Sequence, residues 1–223
     1  MRNIVKAFRR IPEKTRTIGY GLFSLLKNLF YFCFKVIVGI VFKSPLLIAI
    51  AIYNILIGLV KANCSRGLWK NRDDLKDIKT YLLGGVILSL SSMFYIAYTV
   101  IQLYHPSNTK YNLIIAIAIA CFACYSMTLS ILGLVWAKGK TMLIKEYKFT
   151  NFATALTNIV LTQIAILSFT TVQDMSVYNS FMGGLVGVVI LGFGLYFIIN
   201  GSIKYRRHVR KINNIESNSA LSK

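Results

Sequence analysis

Charge is what this sequence has least of. Only 15% of its 223 residues are charged, while 56% are hydrophobic. A soluble domain carries about a quarter of its residues as charges, and a fold of this size needs polar groups to cover its surface. The charges are also clustered, leaving long apolar stretches between them. A water-soluble globular fold is excluded, and the chain reads as an integral membrane protein. Acids are scarcer still, 7 against 26 Lys and Arg. Glu13, Asp73, Asp74, Asp77, Glu146, Asp174 and Glu216 all fall in expected connections or tails. A proton or sodium pathway built on membrane-embedded carboxylates therefore has no residue to use. His105 and His208 also fall outside the expected spans. The 4 cysteines have no regular spacing, which excludes a disulfide framework or a zinc-finger pattern. There is no phosphate loop, no zinc-protease helix motif and no carboxylate pair. The expectation is a protein without cofactor or metal that is not an enzyme.

What the chain has in quantity is apolar helix. A bilayer crossing needs about 20 residues of helix, and four stretches supply it, at about 81–104, 111–136, 149–172 and 181–203. Basic residues mark the sides, because loops left in the cytoplasm keep an excess of Lys and Arg. Segment 1–17 holds Arg2, Lys6, Arg9, Arg10, Lys14 and Arg16. Segment 61–79 holds Lys61, Arg66, Lys70, Arg72, Lys76 and Lys79. Lys138, Lys140, Lys145 and Lys148 fill the next such loop, and Lys204, Arg206, Arg207, Arg210, Lys211 and Lys223 the tail. The intervening loops, 105–110 and 173–180, carry only Lys110 and Asp174. This alternation accounts for the net charge of +19 without a nucleic-acid partner, and it predicts a plasma-membrane protein with both termini cytoplasmic.

Region 18–60 must then be a hairpin. One version spans twice, at about 18–42 and 45–60, around a Lys43-Ser44-Pro45 turn, where the residue before proline avoids helical geometry. Apolar residues in 18–42 offer about −4.5 to −9 kcal/mol on the insertion scale, and two central lysines cost about 5 to 7. The balance is close. In the other version Tyr20, Ser24, Lys27, Asn28, Tyr31 and Lys35 form the polar stripe of an interfacial helix, and 36–60 is re-entrant. The expected fold is thus an all-α membrane bundle: a basic segment 1–17, a membrane domain 18–203 with six spans, and a disordered polar tail 204–223. Its alternative has four full spans, an interfacial helix and a re-entrant hairpin. The N-terminus lacks the pattern of a cleaved signal peptide.

Few motifs carry chemistry. Thr17-Ile18-Gly19-Tyr20-Gly21 resembles the selectivity filter of potassium channels, but the outer helix and pore helix that precede such a filter are missing here. It reads as a basic-to-apolar boundary. Cys121-Phe122-Ala123-Cys124 is a Cys-x-x-Cys pair, as in quinone-linked membrane oxidoreductases. Its mid-span place and the absence of a second pair favour packing, with Ala116, Ala120 and Cys124 as a row of small residues. Gly183 and Gly187 form a GxxxG, the mark of a close neighbouring helix in this chain or in a homo-oligomer. Asn151, Thr154, Asn158 and Thr162 line one face of the most polar span, with Thr157, Gln163 and Ser168 alongside. That face suits either a translocation path or interhelical hydrogen bonding. Lys27 and Lys35 are the charges expected at membrane depth, as contacts for an anion or a lipid headgroup.

Two functions remain. The first is a small-solute transporter or channel-like protein using the polar face and the two lysines. The second is a non-catalytic scaffold or accessory subunit, its basic cytoplasmic face binding anionic lipid or a membrane protein partner.

Overall fold

A computed structural model describes residues 13–41, 45–69, 74–104, 113–137, 141–170 and 176–221. Among them are six helices and no strand: α1 (Glu13–Val41), α2 (Pro45–Trp69), α3 (Asp74–Tyr104), α4 (Leu113–Trp136), α5 (Met142–Thr170) and α6 (Ser176–Leu221). Helix is the form that satisfies every backbone group within its own segment, which hydrocarbon demands. Pro45 opens α2, where a missing N–H costs nothing. Asp74 and Asp77 sit in the first turn of α3, where negative charge meets the positive end of the helix dipole.

Successive helices run antiparallel. Asn28 of α1 meets Lys61 of α2, while Gly39 approaches Leu47 and Ile48 at the other end of that pair. Asn63 Nδ2 donates to the Thr80 carbonyl at 3.3 Å, and Tyr53 stacks on Tyr95 farther along α2 and α3. Between α4 and α5, Ser130 Oγ donates to the Asn151 carbonyl at 3.2 Å and Thr162 Oγ1 points at the Ile119 carbonyl.

The closest pair is α3 and α6, joined where side chains are smallest. Gly183 faces Thr99 and Tyr95, Gly187 faces Ile96, Gly194 lies on the backbone of Ser89, and Gly201 lies on Leu82. Ser92 Oγ donates to the Gly187 carbonyl at 2.5 Å. Backbones approach this closely only where no Cβ intervenes. The GxxxG of Gly183 and Gly187 is thus used within the chain. Helices α2 and α5 form the centre: 56% of each apolar window is buried, against 28% for α4 and α6. Tyr53, Ile57, Leu88, Leu161, Ile190 and Phe197 belong to the shared core.

Among the described residues five helices, α2 to α6, are long and apolar enough to cross a membrane. In α1 the described apolar stretch is Asn28–Val41. Three expectations change. First, α3 and α5 begin before the expected 81 and 149, because a helix continues through polar residues after its apolar run ends. The tail is helical as far as Leu221 rather than disordered, as an extension of α6. Finally, Glu146 lies inside α5, not in a connection, and is 0% exposed. Its position follows from periodicity, since Leu143, Glu146, Tyr147, Thr150 and Thr154 share the buried face.

Candidate functional site

The polar residues singled out on α1 and α5 meet. Lys35 is 4% exposed, and its Nζ donates to Asn158 Oδ1 at 2.8 Å. The reach is long: among the described residues, the backbone of α1 lies close to α2 alone. The flexible lysine stem spans the remaining gap to α5. A cavity of about 20 Å³ lies there, lined by Tyr31, Phe34, Ile119, Phe122 and Leu161 besides the bonded pair. Tyr31 and Phe122 meet edge to face, their centroids 5.6 Å apart, and close one side. An ammonium has three N–H donors, and Asn158 takes one of them.

The described part of the stripe that suggested an interfacial helix turns inward; the side chains of Tyr20 and Ser24 lie outside the described residues. Asn28, Tyr31 and Lys35 are buried, whereas Leu29, Phe30, Ile37, Ile40 and Val41 point outward. A helix floating at the interface would do the reverse. Lys27 is on α1, but its side chain lies outside the described residues, as do Lys43 and Ser44 of the turn.

The rest of the polar face of α5 is mostly satisfied locally. Thr154 Oγ1 donates to the Thr150 carbonyl at 3.0 Å and Thr157 Oγ1 to the Thr154 carbonyl at 2.8 Å. Thr162 Oγ1 donates to the Asn158 carbonyl at 3.0 Å. Asn151 is half-buried, and its carbonyl accepts from Ser130. Asn158 binds a charged group on another helix through its side chain. Along α4, Ala116 is buried and Ala120 half-buried, but Cys124 is exposed, as is Cys121. The buried face of α4 runs instead through Ala116, Ile119, Ala123, Ser126 and Ser130.

Two further charges are buried that sequence reasoning did not place at depth. Lys61, assigned to a cytoplasmic loop, is 1% exposed within α2 and donates to Asn28 Oδ1 at 3.1 Å. Glu146 packs against Gly84 and the Cys64 thiol, yet among the described residues neither carboxyl oxygen has a partner at full hydrogen-bond geometry. A Cβ at position 84 would occupy the place of Oε1. The inward periodicity of residues 143–154 was the signal that could have revealed Glu146. Lys61 continues the inward row of Ile50, Tyr53, Asn54 and Ile57 along α2.

Among the described residues no cluster of His, Cys, Asp and Glu has the make-up of a metal site. No family model, curated protein or solved structure shows a significant match to this chain.

Proposed function

We propose that this chain is a multi-pass membrane protein that binds and passes a small anion at the seam of α1, α4 and α5. The observation that carries the reading is the buried bond between Lys35 and Asn158. An ammonium buried without a countercharge costs several kcal/mol, and among the described residues no carboxylate bonds to Lys35. An anion beside Nζ offsets that cost. The cavity of about 20 Å³ accepts roughly one water-sized occupant, which favours a halide over an organic solute. Among the described residues α1 packs its backbone on α2 alone, which supports its moving aside from α4 and α5.

In this reading α1 also crosses, giving six spans, both termini in the cytoplasm and a plasma-membrane location. Support comes from its length, its outward apolar face and the alternation of basic connections along the sequence. The activity is non-enzymatic, and no thiol chemistry is assigned to Cys121 and Cys124.

The test is halide flux into liposomes containing the full chain. Asn158→Leu and Lys35→Met should each lower chloride-dependent quenching of an entrapped fluorophore to the level of empty vesicles. Flux unchanged by both substitutions rejects the anion reading. A second reading, a scaffold or accessory subunit, is favoured by the projecting end of α6, where Arg206, Arg207, Arg210 and Lys211 are exposed. Co-purification of a membrane protein with flux-silent chain would support it.

A further inference from the structure

At the basic end of the bundle the starts of α3 and α5 face the projecting part of α6 across a half-open pocket of about 370 Å³. That volume lies within the range of small-ligand sites. On α6, Lys204, Arg207, His208 and Lys211 recur at three- and four-residue spacing and line one wall. Asp74 and Asp77 of α3 lie opposite, and Thr141, Met142 and Leu143 at the start of α5 form part of the floor.

Three features select the occupant. First, among the described residues none of the four basic side chains on α6 forms a hydrogen bond or ion pair. Second, α5 starts at the pocket: Lys145 N bonds to the Thr141 carbonyl at 3.1 Å, so the lining residues Thr141, Met142 and Leu143 belong to its opening turn. The first turn of a helix has N–H groups without intrahelical acceptors, the arrangement that holds phosphate at helix N-termini. Third, the lining carries three formal positive charges against two negative ones, with His208 neutral. One surplus positive charge matches a phosphodiester better than a phosphate dianion. The two aspartates also meet the positive end of their own helix dipole, which offsets part of their charge.

We infer that this pocket binds a phosphodiester group supplied by a phospholipid headgroup. The phosphate meets Lys204, Arg207 and the start of α5, and Ile78, Met142 and Leu143 lie below for the glycerol and upper acyl carbons. The apolar floor favours a lipid over a free phosphate ester. The inference stands apart from the anion path at Lys35, and it gives the basic face of the scaffold reading a particular place.

The experiment uses the delipidated full chain, exposed to phosphatidylglycerol in detergent and read by native mass spectrometry. One retained lipid per chain is expected. Lys204→Gln combined with Arg207→Gln should lower retention at least about fivefold, since each basic residue near a membrane surface contributes measurably to lipid attraction. Arg206→Gln combined with Arg210→Gln removes the same charge from the same helix outside the pocket, and should change retention less than about twofold. These side chains are exposed or half-buried, and unchanged melting confirms that both variants fold. Equal loss in the two double variants overturns the pocket while leaving a diffuse basic face. Retention unaffected by either overturns both. Inorganic phosphate serves as the second probe. Displacement of the lipid by millimolar phosphate supports a site that reads the phosphate itself, whereas phosphate binding without lipid retention overturns the lipid as its source.

Discussion

Lys35, Lys61, Asn28 and Asn158 form two amide–ammonium links that hold α1 to the bundle. Each places a cation where a lost partner is expensive, so the links are testable one residue at a time. Asn158→Leu strands the lysine and should destabilise the chain by about 1–3 kcal/mol, read as a lowered melting temperature in detergent. Adding Lys35→Met should recover much of that loss, because removing both partners together leaves nothing unsatisfied. A double variant as unstable as Asn158→Leu alone would show that the two residues do not interact. Glu146 is the opposite case, a buried carboxyl that, among the described residues, has the Cys64 thiol beside it but no partner at full hydrogen-bond geometry. Glu146→Met, similar in shape and uncharged, should hold or raise stability by about 1–4 kcal/mol. A fall in melting temperature would mean the carboxyl contributes an interaction that methionine cannot replace. Composition shows how many such groups exist. It does not show which face of a helix carries them.

At the scale of elements, α3 and α6 are joined by glycines with unequal duties. An added methyl at Gly194 would meet backbone atoms of Ser89, which cannot turn aside, whereas at Gly192 it would enter open space. Gly194→Ala should therefore cost about 1–3 kcal/mol through overpacking, and Gly192→Ala should leave melting unchanged or slightly higher. The GxxxG at Gly183 and Gly187 was legible in the sequence because its spacing is itself the signature. The row Ala116, Ala120 and Cys124 was not. Four-residue steps drift around a helix of 3.6 residues per turn, and by Cys124 the row has left the buried face. The start of α5 was missed for a related reason: hydropathy ends at the last apolar run, while the helix needs only backbone hydrogen bonds to continue.

For the molecule as a whole, the alternation of six helices makes a prediction about sides. With native cysteines replaced, Lys43→Cys should react with a membrane-impermeant maleimide on intact cells. Ile212→Cys, near the exposed end of α6, should react only after permeabilisation. Lys43→Cys labelled solely in permeabilised cells would make α1 and α2 a hairpin that never reaches the outside. Five helices would not return both termini to one side, so α1 decides the count. Its described apolar stretch is short, and its polar residues are nevertheless sheltered by α2 and α5.

The sequence by itself determined that the protein is helical, that it carries apolar runs long enough for a bilayer, and that its basic residues fall in alternate connections between those runs. These are properties of composition along the chain, which a sum over residues captures without regard to direction. Tertiary structure decided which polar groups are enclosed: Lys35 against Asn158, Lys61 against Asn28, Glu146 against Gly84. The setting of each helix about its own axis comes from packing against its neighbours, and close approach at glycines sets the tightest pair. Hydropathy weighs every side of a helix alike, so only the packed bundle separates a lysine facing lipid from one facing an asparagine.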